Sequence, residues 1–410
     1  MANRRVALLV VVGIFVSLLS GTVTTATTSA LTLRARPLQV GVLSDDFSST
    51  ADGWILGTGP CGLTSRCLLL DHTTNGGTSW ARVPLPARLR SNANFQIRMG
   101  YASPAAVGGL FVRFANPFDG WISGSMTGRV VAPGFSNGIS DLVVWSTHNG
   151  GASWSAATPP SLGGASSYFD LESSATKVYV LGAEASNTNA VVDSSPVGMD
   201  HWTRASVAPL SLPAGGSQPY GAMTLSDAHG WLAEGNDRGV TGSAELNAKG
   251  QWVPWTAPCA SVGYSMAFPE ASSPSRLTVA CQLGGYGQSP VVGGPLGAKV
   301  GSTWLRISTN GGAAFHWGPQ IGATYADSAL ILAAPSATHF FAAASSAPTS
   351  LTATFDGGRH WIRVLHGDII SLTFLSPTFG FGFGFAGGYG TAAEAIETLD
   401  GGHSWRVIAK

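Results

Sequence analysis

The chain has 410 residues, of which 44% are hydrophobic and only 11% charged, a balance that excludes intrinsic disorder. Lysine plus arginine equals aspartate plus glutamate at 22 each, so the chain lacks the electrostatic footprint of a nucleic-acid binder or a polybasic membrane binder. Its 54 glycines, 23 prolines and 13 tryptophans suit short strands joined by tight turns.

The N-terminus reads as an export signal over residues 1–30, followed by one domain over 31–410. Arg4 and Arg5 supply a positive region, and Val6 to Leu19 is apolar but shorter than the ~20 residues of a comfortable membrane span. Small residues from Thr24 to Ala30 offer a cleavage site; an uncleaved anchor is the alternative. The arginine pair hints at twin-arginine export, but nothing after it sharpens that motif. No second apolar run has spanning length, so no stable membrane span is expected after cleavage, and the mature chain is expected to be secreted or held at the cell surface.

The cysteines come next: Cys61, Cys67, Cys259 and Cys281. None follows the apolar run closely enough for lipid attachment. An even count in an exported chain favours disulfides, and four cysteines allow three connectivities. Cys61–Cys67 and Cys259–Cys281 are favoured, because each pair can close a local hairpin. The spacings match no zinc pattern, and neither a metal nor a cofactor is expected.

Five segments then align without gaps: Thr73 to Trp80, Thr147 to Trp154, Ser308 to Phe315, Thr354 to Trp361 and Thr398 to Trp405. Each carries Ser or Thr first, Asn or Asp third (Asn75, Asn149, Asn310, Asp356, Asp400), Gly fifth and an aromatic eighth. Degenerate copies run from Asp193 to Trp202 and from Asn247 to Trp252. Each copy reads as a hairpin turn: the Asn or Asp side chain accepts bonds from backbone N–H groups, the glycines take positive φ, and the aromatic opens the next strand. A second element lies upstream of the turns, clearest at Asp52-Gly53-Trp54, Asp119-Gly120-Trp121 and His229-Gly230-Trp231. Apolar runs such as Leu110 to Phe114 and Ile370 to Leu375 precede it.

Each unit therefore holds four strands, A to D, with the glycine turn between C and D. The closing aromatics Trp80, Trp154, Trp202, Trp252, Phe315, Trp361 and Trp405 count seven units. Units of roughly 40 to 50 residues are the signature of propeller blades. The sequence thus predicts an all-β fold, a seven-bladed β-propeller of four-stranded antiparallel blades, with insertions in blades 2 and 5. Six or eight blades are the alternatives. Blade 1 is expected to pack against blade 7 without a shared strand, although Leu31 to Ala35 could add an edge strand.

These turns resemble the Asp-box (BNR) repeats of sialidases, sortilin-type receptors and xyloglucanases. The combination of Gly-Trp-x-x-Gly with Thr-x-Asp-Gly-Gly-x-x-Trp is most similar to the photosystem II assembly-factor propellers and their bacterial relatives. The resemblance covers about residues 40 to 410 and speaks to fold more than function. It implies that the Asp-box side chains build structure, on the face away from the binding site.

Tests for chemistry give little. Arg82-Val83-Pro84 resembles a sialidase Arg-Ile-Pro element, but it follows the first turn and falls on an outer strand. Arg363 and Arg406 share that position, and Arg359 lies in a turn, so a central arginine triad is hard to assemble. A glycoside hydrolase needs two flanking carboxylates. Asp52 and Asp119 repeat at equivalent positions, which argues for turn building. The non-repeated acids are Asp170, Glu172, Glu234, Asp237, Glu270, Asp327 and Asp368, and nothing in the sequence pairs any two of them.

The D–A and B–C loops share the face opposite the turns, and function tends to live on such loops. They carry Arg88, Arg90, Arg98, Arg129, Tyr220, Asp237, Arg238, Tyr286, Tyr325, Asp327, His366, Asp368 and Tyr389, the candidate ligand-binding set. Tyrosine and arginine are typical interface anchors. The expectation is a monomeric, non-catalytic binding or scaffold propeller that recognises a protein or a glycan, with a sialidase-like or xyloglucanase-like glycoside hydrolase as the alternative.

Overall fold

The computed structural model describes residues 41–409 apart from the segments 61–65, 88, 90–110, 126–141, 160–161, 163–167, 184–188, 206–209, 212–219, 237–238, 261–264, 284–301, 324–329, 345–349 and 386–393. The described chain is almost entirely strand, in seven sheets. Blade 1 comprises β1 (Gly41–Phe47), β2 (Gly53–Pro60), β3 (Arg66–Thr73) and β4 (Ala81–Val83). Blade 2 comprises β5 (Phe111–Phe114), β6 (Gly120–Ser125), β7 (Leu142–Thr147) and β8 (Ser155–Ala156). Blade 3 holds β9 (Tyr168–Ser173), β10 (Lys177–Ala183), β11 (Asn189–Pro196) and β12 (Thr203–Arg204), and β13 (Leu210–Ser211) also pairs with β11. Blade 4 runs through β14 (Tyr220–Ser226), β15 (His229–Asn236), β16 (Gly239–Leu246) and β17 (Trp252–Pro254). Blade 5 follows as β18 (Ser265–Ser273), β19 (Arg276–Leu283), β20 (Ser302–Ser308) and β21 (His316–Ala323). Blade 6 is β22 (Leu330–Ala333), β23 (Phe340–Ala344), β24 (Ser350–Thr354) and β25 (Ile362–His366). Blade 7 is β26 (Asp368–Phe374), β27 (Gly380–Phe385), β28 (Glu394–Thr398) and β29 (Arg406–Ala409). Every blade is antiparallel with its strands in chain order, so the fold is the seven-bladed propeller that the repeats predict.

Local chemistry explains the repeat. In the first turn Thr73 Oγ1 donates to Asn75 Oδ1 and accepts from Gly77 N at 2.8 Å, while Ser79 N donates to Asn75 Oδ1 at 2.9 Å. The same three bonds recur around Asn149, Asn310, Asp356 and Asp400. The hydroxyl at the first position is therefore as much a part of the turn as the carboxyl or amide at the third. The first glycine of the turn donates to the A–B loop, as Gly76 N does to Ala51 O at 2.9 Å, so the turns and A–B loops share one rim. At Asp400 the bonds from the Ser404 hydroxyl and amide pull the carboxyl down to about 2.

Packing between blades accounts for the rest of the pattern. There are seven apolar clusters, one between each neighbouring pair of blades around a closed circle. The closing aromatic of each turn packs into the cluster shared with the preceding blade: Trp80 against blade 7, Trp154 against blade 1, and so on to Trp405 against blade 6. The second glycine of the turn faces the same seam. At Gly402, with φ +91°, an added Cβ would lie 2.3 Å from the Phe341 ring of blade 6. Blade 7 meets blade 1 through Phe381 stacked on Phe47, with ring centroids 3.9 Å apart, and the two sheets share no strand. Leu31 to Ala35 lie outside the described residues.

One disulfide is in place, Cys259–Cys281, with Cα atoms 5.5 Å apart. It closes no hairpin. Cys259 follows β17 and Cys281 lies in β19, so the bond ties the connection between blades 4 and 5 to the second strand of blade 5. Cys61 is outside the described residues, and the Cys61–Cys67 pairing with it.

Candidate functional site

Most of the loop-face candidates fall outside the described residues: Arg88, Arg90, Arg98, Arg129, Asp237, Arg238, Tyr286, Tyr325, Asp327 and Tyr389. Three are placed. His366 ends the outer strand β25 and is exposed. Asp368 opens the inner strand β26, opposite Phe385. Tyr220 belongs to a strand rather than a loop. It starts β14, is 3% exposed, and its hydroxyl accepts from Ala267 N of blade 5 at 2.9 Å. Burial raises its hydroxyl pKa.

That bond is one of a series. The innermost strand of each blade has one edge without a strand partner, a liability in any sheet. Side chains from the preceding blade cover several of these amides. Ser44 Oγ accepts from Val112 N at 3.1 Å, and Asp46 Oδ2 accepts from Phe114 N at 2.5 Å. Asp170 Oδ2 accepts from Met223 N at 2.8 Å, and Thr224 Oγ1 accepts from Ala271 N at 3.2 Å.

The strand registers set out a layer of residues around the inner wall. Asp46 pairs with Trp54, Arg113 with Trp121, Glu172 with Tyr179 and Thr224 with Trp231. Glu270 pairs with Thr278, Ala333 with Phe341 and Thr373 with Phe381. Because strand B carries an aromatic at this level in six of these pairs, the register places the seven inner residues at one height. Three are acids, one is an arginine, and Asp45 and Asp170 lie beside them.

Arg113 joins the group. Its guanidinium bonds Glu172 Oε1 through Nη2 at 3.2 Å and Nε at 3.4 Å, and Nη1 donates to the backbone oxygen of Asp45. Blades 1, 2 and 3 thus meet at one cation. Burial opposes its charge, but Glu172, Asp46 and Asp170 outweigh that and hold the guanidinium above its usual range. Burial also lifts the acids. It takes Asp45 to about 6, against a hydrogen bond with Ser371 and the pull of Arg113, and Asp46 to about 7. Asp170 rises for the same reason and because Glu172 is near. Glu270 reaches about 8 through burial first and then the Glu172 and Asp170 charges. Since Glu270 of blade 5 shares the field of Glu172 and Arg113, the acids form one electrostatic group.

Sequence reasoning named Asp170, Glu172 and Glu270 without pairing them, and the fold brings them together. It passed over Asp45, Asp46 and Arg113. Arg113 lay inside an apolar run; a lone charge in an inner-strand pattern was the available signal. Glu234 sits apart in β15, fully buried, and neither carboxyl oxygen has a hydrogen-bond partner; burial lifts it to about 8. The arginines of the outer strands hold neighbouring acids: Arg82 bonds Asp71 at 2.5 Å and Arg406 bonds Glu397. Asp52 and Asp119 are turn builders. Asp52 accepts from Ser49 Oγ at 3.1 Å and Asp119 from Asn116 Nδ2 at 2.9 Å. His148 lies between Asp119, at 2.7 Å, and Asp200, at 3.5 Å, which links blades 2 and 3 at the turn rim.

No family model matches the chain, and no curated protein matches it. Solved structures do. YCF48 bound to D1 peptide aligns at a TM-score of 0.50 and 15% identity, over 89% of this chain and 95% of that one. YCF48 from Cyanidioschyzon merolae aligns at 0.51 and 12% identity, over 89% and 97%. A polysaccharide lyase of family PL25, an ulvan lyase, aligns at 0.51 and 12% identity, over 91% and 96%. A binder and an enzyme stand side by side at equal likeness, so what this chain shares with them is the fold.

Proposed function

We propose that this chain is an exported, non-catalytic binding or scaffold propeller of the Asp-box type, related to the YCF48-like assembly factors, which recognises a protein or glycan at the cell surface. The observation that carries the reading is that the turn side chains and the inner-wall groups Asp46, Asp170, Glu172 and Arg113 are spent on the fold itself. The turn side chains hold the turns, Asp46 and Asp170 cap inner-strand amides, and Glu172 holds Arg113. Recognition then falls to the non-repeated arginines and tyrosines of the opposite loops, led by Arg88, Arg90, Arg98 and Arg129. The Cys259–Cys281 bond suits an oxidising compartment, in keeping with the N-terminal signal. No helix among the described residues is long and apolar enough to cross a membrane. YCF48, captured with a peptide, offers a precedent on the same fold for a protein ligand.

The test is a panel of glycans and peptides from the secreted fraction, bound to the full chain and to a variant with those four arginines changed to alanine. The variant should fold and lose the ligand; retention at wild-type affinity would remove the loop face from the reading. The hydrolase alternative has one feature in its favour: burial, and then the charge of Glu172, raise Glu270 to about 8 while Glu172 is ion-paired to Arg113, a division of labour that such enzymes use. Release of reducing sugar, abolished in Glu270→Gln, would establish that alternative.

A further inference from the structure

We propose that the seam between blades 3 and 4 carries, at its turn rim, a subsite for one singly charged sugar residue, a hexuronate. The site lies on the face opposite the loops, and it goes beyond the loop-face reading rather than resting on it.

The cavity has a cause in the sequence. In a complete turn the second glycine presses on the preceding blade: an added Cβ would lie 2.3 Å from Ile408 at Gly77, and 3.1 Å from Trp231 at Gly312. The blade 4 turn, Asn247 to Trp252, has Lys249 at that place and its positive-φ glycine one residue later. It closes instead as a tight hairpin, with Asn247 N donating to Gln251 O at 3.0 Å and Gly250 N to Asn247 O at 2.8 Å. A Cβ at Gly250 would meet nothing within 4 Å. The turn therefore stands off from blade 3, and a cavity of about 390 Å³ opens between them. Its walls include Lys177, Tyr179, Ser194 and Thr203 of blade 3, with Gln251 and Trp252 of blade 4.

Those walls hold unused groups. Tyr179 pairs with Ser194, and Ser194 with Thr203, so the three stand side by side on adjacent strands. Tyr179 is 4% exposed and Ser194 7%, yet neither side-chain hydroxyl has a hydrogen-bond partner among the described residues. A buried hydroxyl without a partner is costly, so both bonds are left to whatever fills the cavity. The Tyr179 ring meets the Trp252 ring edge-on, with centroids 5.9 Å apart. Lys177, two residues before Tyr179 and on the same face of β10, forms no ion pair among the described residues. None of the described residues that line the cavity is an acid.

The chemistry selects the occupant. A lone ammonium is one point charge, which matches a carboxylate and falls short of a phosphate at about −1.5 to −2. Three hydroxyls and the Gln251 carboxamide supply donors and acceptors on both sides of the seam, the complement of a polyol rather than of a plain fatty or aromatic acid. The volume lies near the low end of the range for small-molecule pockets, about 300–1,000 Å³, which suits a single ring.

The experiment titrates the full chain with the methyl glycosides of glucuronate and galacturonate, with the methyl ester of each, with acetate and with a sulfated galactose. One of the two acids should bind one to one at about 1–10 mM or below, its ester at least about tenfold more weakly, and acetate should not compete. Lys177→Gln should weaken the acid by about tenfold and leave the ester unchanged. Tyr179→Phe removes a hydroxyl that the fold does not use, so it should keep the wild-type unfolding midpoint and weaken the acid by about threefold or more. The variant with the four loop-face arginines replaced should bind the acid as wild type does. Binding of acid and ester alike, no saturation by either acid, competition by equimolar acetate, tighter binding of the sulfated sugar, unchanged affinity in folded Lys177→Gln or Tyr179→Phe, or loss of binding in the loop-face variant would each overturn the assignment.

Discussion

At the scale of single residues, the repeated Gly-Trp pair is a packing device. Gly53 faces Phe47 across the β1–β2 pair, and an added Cβ would lie 2.2 Å from the Phe47 ring. Gly120 meets Phe114 and Gly380 meets Phe374 in the same manner, and in blade 4 Leu225 takes the place of the aromatic at Gly230. The ring lies over the glycine, and the following Trp54 is turned into the seam, where it stacks on Phe114 at a centroid separation of 3.6 Å. Gly53→Ala should therefore cost about 1–3 kcal/mol in urea unfolding, the ordinary price of overpacking. Trimming the ring with Phe47→Leu should recover part of that loss, with a coupling of about 0.5 kcal/mol or more. Additive losses in the double variant would show that the close approach is not what conserves the pair's geometry.

At the scale of elements, what the sequence made legible is what the fold repeats. Five turns could be read because each solves the same local problem with the same hydroxyl, amide or carboxyl, and glycines. Blade 3 was harder, because its turn keeps Gly198 at φ +79° but uses Ser195 Oγ bonded to the Met199 oxygen instead of a side chain at the third position. The inner wall was legible only in pieces: Asp170, Glu172 and Glu270 stood out as non-repeated acids, but their grouping did not. Its charged members lie on four strands, β1, β5, β9 and β18, drawn together only by closure of the ring, and no spacing along the chain records that. The disulfide is an intermediate case: its pairing could be read, its role could not, because Cys281 lies in β19 rather than at a hairpin end. As a clamp between the β17–β18 connection and β19, it restrains both blades of a seam whose core is rich in small residues, Ala233, Ala257 and Ala267. Replacing both cysteines with alanine should lower stability by about 2–4 kcal/mol, measured by denaturant unfolding. A loss below about 0.5 kcal/mol would mean that the seam holds without the clamp.

At the scale of the whole molecule, the described residues of blades 1 and 7 meet by packing without a shared strand, and on the inner wall charges of several blades face one another. The sign of its pH dependence follows directly. In the unfolded chain the carboxyls of Asp45, Asp46 and Glu270 titrate near about 4. In the folded wall, burial raises them to about 6, 7 and 8, with Arg113, Asp170 and Glu172 facing them. Between those limits the native state binds more protons than the unfolded state, so stability is full below about pH 4 for this group and falls as pH rises through the folded values. The exposed turn acid Asp400, held at about 2, titrates below this window and does not confuse it. Glu270→Gln removes one of the titrating groups. Relative to wild type, the variant should gain on the order of 1–3 kcal/mol between pH 5 and pH 9, a value already reduced for the water that reaches the wall. Unfolding midpoints across that range would display the gain as two converging or crossing curves. Parallel curves would mean that Glu270 is solvated like a surface acid, and that the wall stores no electrostatic strain.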